Sequence, residues 1–154
     1  MAQRGSGYAR MPGDTYVTPD WVYHAAYRVE PRLAGYRAEV APVERNGYDF
    51  LADKTHRQAI CTNPPFSSAE DFCWHALEVT KPDGIVGMLL PVTFDCAKGR
   101  RVLFEYPFKS KLIITTRIRW TNLEQKKAGP STNHAWYFWD WLKLRDSKPI
   151  IGWV

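Results

Sequence analysis

Ala59-Ile60-Cys61-Thr62-Asn63-Pro64-Pro65-Phe66 is a short apolar run that stops on an amide, two prolines and an aromatic ring. It reads as a buried strand that delivers a site at its end. Each proline pushes the residue before it towards an extended conformation. Asn63 and Pro64 are therefore kept out of a helix, and the amide and the Pro64 carbonyl are held in set directions. As plain structure, the same residues make a tight Pro-Pro turn closing a strand.

Working outward, Ser67-Ser68-Ala69-Glu70 has the spacing of a capping box with Ser67 as cap, and predicts a helix to about Lys81. Phe72, Ala76 and Leu77 share one face of it, and Pro82-Asp83-Gly84 is a stop signal. Ile85 to Phe94 is then a continuous apolar run of the kind found in parallel strands buried on both faces. Strand, helix and strand together predict an α/β fold.

The chain has 154 residues, 45% hydrophobic and 14% aromatic, which predicts one domain with a sizeable core. A formal charge of +5 suits an anionic partner such as nucleic acid, although mild basicity is also common elsewhere. Cys61, Cys73 and Cys96 are widely spaced and odd in number, so reduced thiols are expected rather than a disulfide framework or a zinc site. His24, His56, His75 and His134 are scattered, so neither a metal site nor a nucleophilic triad is predicted. With no leader-like or membrane-length apolar stretch in the sequence, a cytoplasmic protein is expected.

Residues 1–13 are small and polar and read as a flexible arm, leaving 14–154 as the domain. Thr18-Pro19-Asp20 predicts a helix start, with Thr18 as cap and Pro19 in the first turn. Lys98 to Glu105 reads as a short amphipathic helix with a basic start. Lys111 to Trp120 reads as a strand with Thr116, Ile118 and Trp120 on one face and Arg117 and Arg119 on the other, the arginines towards solvent or nucleic acid. Lys126 and Lys127, in the loop between Thr121 and Asn133, are candidate phosphate contacts. The aromatic run His134 to Trp141 is expected to be a core strand rather than a base-stacking surface. Pro149 to Val154 is expected to add a short edge strand.

Asn63-Pro64-Pro65-Phe66 after a hydrophobic strand resembles the catalytic motif of S-adenosylmethionine-dependent amino methyltransferases, above all the DNA adenine methyltransferases. The resemblance implies that Asn63 and the Pro64 carbonyl hold the hydrogens of an adenine amine, that Pro65 stiffens the loop, and that Phe66 stacks on a base flipped out of double-stranded DNA. It extends over most of the chain from Asp14 onward. Tyr16-x-Thr18-Pro19 resembles the family's opening segment, which implies that Tyr16 and Thr18 border the cofactor. Tyr48-Asp49-Phe50 resembles its Asp-Phe element, which implies that Asp49 and Phe50 hold the cofactor's adenine. Gly35 to Glu44 resembles the family's second strand, which implies that Glu44 presents an acid to the cofactor ribose; as plain structure Glu44 is a solvated charge in the Glu-Arg-Asn-Gly turn.

The implied fold is a Rossmann-like class I methyltransferase sheet, mainly parallel, with an antiparallel hairpin at one edge and a reduced N-terminal half. Small members of the family are often phage-associated. The sequence departs from the pattern at one place. Glu30-Pro31 resembles the start of the glycine-rich cofactor loop, but Arg32-Leu33-Ala34 follow and only Gly35 is at hand. Two functions stay open: adenine methyl transfer, with the pocket intact or completed by another subunit of a homo-oligomer, or a catalytically degenerate fold, a pseudoenzyme, that binds nucleic acid or a partner.

Overall fold

The computed structural model describes residues 16–35, 49–122, 127–128 and 132–154, with the backbone alone at Tyr16, Thr121, Asn122, Lys127 and Ala128. The elements in chain order are β1 (Tyr16–Val17), α1 (Asp20–Val29), α2 (Pro31–Gly35), β2 (Ala59–Thr62), α3 (Ala69–Thr80), β3 (Ile85–Pro91), β4 (Phe108–Ile113), β5 (Trp120–Asn122), β6 (Lys127–Ala128), β7 (His134–Asp140) and β8 (Ile150–Trp153). Short 3-10 turns lie at Phe66–Ser68, Phe94–Cys96 and Lys98–Phe104.

The fold is mixed α/β, with a five-stranded sheet in the order β2-β3-β7-β4-β8. β2 runs parallel to β3, and β4 parallel to β8, while β7 lies between β3 and β4 and is antiparallel to both. The antiparallel partner is thus inside the sheet and not at an edge as expected. The reason is that β7 is buried at all seven positions, from His134 to Asp140. A strand so apolar on both faces gains most where both backbone edges are also paired. The edge place falls to β8, as expected from Ile150 to Trp153.

Other boundaries also differ. The expected strand from Lys111 to Trp120 divides, since β4 ends at Ile113 and Trp120 begins β5 in a separate small sheet with β1 and β6. β3 ends at Pro91, which has no N–H to continue a ladder, and Phe94 belongs to the following 3-10 turn. The short helix expected from Lys98 to Glu105 is found over Lys98–Phe104, with 3-10 geometry. α3 begins at Ala69 after a 3-10 turn, so Ser67 is not its cap, and no side-chain hydrogen bond caps it.

Two apolar layers cover the sheet, and the strand period of two sorts residues between them. Ile60, Val86, Met88, Leu90, Tyr137 and Trp139 meet Phe72, Ala76 and Leu77 of α3 and Leu103. Ala59, Cys61, Ile85, Leu89, Trp136 and Phe138 meet Val22 and Ala26 of α1 and Leu33 of α2. Each full burial of such a side chain contributes about 1.5–3 kcal/mol. The buried indoles also satisfy their N–H groups, Trp136 on the Val22 carbonyl at 2.9 Å and Trp139 on the Leu103 carbonyl at 2.6 Å.

At the end of the sheet where β3 begins, a charged cluster fastens the helical layer. Lys109 is the extra residue of a bulge in β4, since Phe108 faces Trp139 while Ser110 faces Phe138. Its ammonium reaches Glu30 at 2.9 Å and Asp140 at 3.3 Å, and Arg32 reaches Asp140 at 2.5 Å. Burial would raise the Asp140 pKa, but hydrogen bonds from Arg32 and the Leu142 N–H, with the nearby Lys109, bring it below its ordinary value. Pro31–Gly35, where the sequence departs from the glycine-rich cofactor loop, is a helix whose Leu33 packs into the core.

Gly84 marks the closest backbone approach. A Cβ there would lie 2.7 Å from the Thr80 carbonyl oxygen and 2.9 Å from that of Arg57. Neither oxygen is free to swing away, so Gly84→Ala should lower stability by about 2–3 kcal/mol. Urea denaturation checks this, and an unchanged midpoint would show that the α3–β3 turn relaxes.

Candidate functional site

The carboxyl ends of β2 and β3 and the amino end of β7 lie together, because Thr62 stands opposite Met88 and Pro91 opposite His134. In open α/β sheets this is the end where ligands bind. Asn63-Pro64-Pro65-Phe66 leaves β2 here. Pro65 stays extended, with φ −57° and ψ 136°, and the chain turns into 3-10 geometry only at Phe66.

Thr18 was expected to cap α1. The cap position is instead Pro19, and the Thr18 hydroxyl accepts a hydrogen bond from Asn63 Nδ2 at 3.2 Å, across 45 residues of sequence. Burial pushes the Tyr23 pKa up to about 12, with the nearby Thr18 hydroxyl pulling the other way. With Asn63 Nδ2 given to Thr18, the amide turns its nitrogen inward and leaves Oδ1 over. Asn63 Oδ1 is buried and has no hydrogen-bond partner among the described residues.

His134 completes the corner. Its ring is 6.1 Å from Phe66 and 5.1 Å, edge to face, from Trp120. Nδ1 donates to the Thr132 carbonyl at 3.2 Å, so Nε2 of the neutral imidazole is an acceptor, and it too is buried without a partner among the described residues. Burial drives the His134 pKa down from 6.5 to about 4, opposed by the Thr132 carbonyl. An unpaired buried acceptor costs about 1–3 kcal/mol, so two in one corner are an expense that a donor-bearing ligand would offset. Phe66, 36% exposed, is the open side of the corner.

The small sheet holds the corner from outside. Tyr16 and Val17 pair with Asn122 and Thr121, and Thr121 pairs with Lys127. This brings the segment bearing Thr18 beside Trp120. Arg117 and Arg119 are exposed while Ile118 and Trp120 are buried, as the expected alternation has it, but Thr116, expected on the face of Ile118 and Trp120, is exposed because β4 has already ended. Arg117 donates to Asn133 Oδ1 at 3.2 Å.

Asn63 and Thr18 are thus brought together, but other expected residues are occupied elsewhere. Phe50 is buried against Phe72 and His75, with ring separations of 5.1 and 4.9 Å. Asp49 Oδ1 accepts from the Leu51 N–H at 3.0 Å. Both have partners in the turn and helix layer. Glu44 and Lys126 lie outside the described residues. A separate groove of about 600 Å³, lined by Asp95, Cys96, Lys98, Arg101 and Phe108 among others, shares none of the corner's side chains. Among the described residues, no three His, Cys, Asp or Glu side chains converge as a metal site, and no helix is long and apolar enough to cross a membrane.

Sequence reading passed over His134. The one available signal was its position, a lone imidazole opening a strand whose next five residues are apolar or aromatic. It is also readable in solution. Between pH 6.5 and about 4 the unfolded chain binds a proton at this residue and the folded chain does not, so stability falls as pH is lowered through that window. His134→Phe should shrink this fall in the urea midpoint. An equal fall in both proteins would mean that the imidazole titrates normally in the fold.

Compared with known proteins, the chain matches no family model and no curated sequence.

Proposed function

We propose that the Asn63 corner grips the exocyclic amine of an adenine flipped out of DNA, for methyl transfer from S-adenosylmethionine. The observation that carries the reading is the buried, unpartnered Asn63 Oδ1, oriented by Thr18 at the carboxyl end of β2 and followed by Pro64 and Phe66. An adenine amine is a poor nucleophile because its lone pair is delocalised into the ring. Asn63 Oδ1 and the Pro64 carbonyl, as fixed acceptors, would draw its two hydrogens and favour the pyramidal nitrogen of the transition state over the planar ground state. Phe66 would stack on the extruded base, and the surrounding apolar corner would keep water from the amine.

The cofactor is less well provided for. Among the described residues there is no glycine-rich cradle: Glu30 is tied to Lys109 at the opposite end of the sheet, and Phe50 is closed in by Phe72 and His75. Those residues do not fit S-adenosylmethionine, so the methyl donor's place needs residues outside them or a completing subunit. The same observation favours a second reading, a degenerate fold that keeps the base grip and binds nucleic acid without catalysis.

Calorimetric titration with S-adenosylmethionine separates the two. Saturable binding, with methyl transfer to DNA that Asn63→Ala abolishes while the fold persists, is the expected result. A folded chain that binds no cofactor would sink the transfer reading in favour of the degenerate one, and undiminished turnover in Asn63→Ala would remove the grip.

The exposed Arg117 and Arg119 flank the corner and suit phosphate contacts. If both reach the backbone of duplex DNA, the double change Arg117→Ala and Arg119→Ala should reduce the slope of log affinity against log salt by about 2. An unchanged slope would take this segment off the interface.

A further inference from the structure

The reading of the corner as an amine grip leaves one group unused, and the inference that follows rests on that reading. Asn63 Oδ1 and the Pro64 carbonyl suffice for the two hydrogens of an amine, yet the same corner holds a further acceptor, His134 Nε2, buried and unpartnered. The His134 residue is 2% exposed. Its tautomer is set by the bond from Nδ1 to the Thr132 carbonyl, so Nε2 has no hydrogen to give. Its ring is fixed between Phe66 and Trp120. Phe66 is the residue on which a planar ligand would stack, and the imidazole stands beside it.

We propose that His134 is a specificity-determining residue, whose Nε2 accepts a hydrogen bond from the NH2 group of the planar ligand stacked on Phe66. A corner bearing only acceptors on this side selects ligands by donors. An amine-bearing base offers its two hydrogens to Asn63 Oδ1 and the Pro64 carbonyl, and His134 Nε2 shares one of them. The corresponding oxo base sets a carbonyl oxygen against these three acceptors and has one adjacent ring N–H to offer in place of two amine hydrogens, so at least two of the acceptors stay unpaired. Sites built to receive a hydrogen bond reject analogues that lack the donor far more strongly than apolar pockets reject a change of size. The pocket therefore discriminates adenine from hypoxanthine, and an amine from its deamination product generally.

The test uses the whole chain labelled with 15N, titrated with adenosine and, separately, inosine, while the His134 ring nitrogens are observed by NMR. Adenosine should move the Nε2 resonance in the direction of an accepted hydrogen bond, and inosine should leave it in place. His134→Phe keeps an aromatic ring between Phe66 and Trp120 but has no acceptor, and should weaken adenosine binding about tenfold, the scale of one lost hydrogen bond. His134→Gln, whose side-chain oxygen restores an acceptor, should recover most of the affinity, which a purely structural role for the ring would not allow. The proposal is overturned if adenosine binds with Nε2 unmoved, if inosine binds as well as adenosine, or if adenosine does not bind. Should Nε2 respond to adenosine while no methyl transfer is found, the recognition role stands and the transfer reading fails alone.

Discussion

The structure depends on covering both faces of β7. Seven consecutive buried residues, three of them Trp136, Tyr137 and Phe138 in succession, cannot be satisfied by one layer. Residues 136 and 138 demand cover on one side, and 135, 137 and 139 on the other. The α1–α2 layer and the α3 layer are both consequences. The buried indole N–H groups add a polar condition to the apolar one, since each must find a carbonyl on the layer that covers it. That requirement fixes where Val22 and Leu103 can lie, and so sets how the helices sit.

Both ends of the sheet carry paired charge, with Lys111 reaching Asp95 at 2.7 Å just beyond β3. But two of the three buried polar atoms without a partner among the described residues, Asn63 Oδ1 and His134 Nε2, share one corner, while the third, Ser110 Oγ, lies within β4. Where β3 begins, Lys109, Arg32, Glu30 and Asp140 neutralise one another, and every one of them has a partner. Where β3 ends, Asn63 and His134 keep acceptors with none. The satisfied end ties α1 and α2 to the strands. The unsatisfied end is the place where local stability has been given up, and such places are where function is expected.

Much of this was legible in the sequence. Ala59 to Thr62, Ile85 to Pro91 and His134 to Asp140 announce themselves as buried strands by unbroken apolarity, and α3 by its helical period. The place of β7 went unread although its apolarity on both faces favours the middle of a sheet, because the resemblance put the antiparallel pair at an edge. The local signals also failed where a long-range contact outbid them. Thr18 has the right chemistry for a helix cap but spends its hydroxyl on Asn63. Glu30-Pro31 has the look of a loop entrance but is held by Lys109, a residue re-aimed by a bulge that no pattern in the strand discloses. Of the site, Asn63 and Phe66 were readable from their motif. His134 was not, because its meaning arises from what surrounds it in space.

The interior position of β7 has a consequence for the order of events during synthesis. β3 and β4, its two neighbours, both precede it in the chain. As the polypeptide emerges, each therefore waits with an apolar, hydrogen-bond-hungry edge until residues beyond 134 arrive to fill the gap between them. A nascent chain at that stage exposes the most adhesive surface it will ever have, and exposed strand edges are what chaperones and aggregation compete for. The last large strand to arrive acts as a keystone, since its pairing is what closes both of those edges.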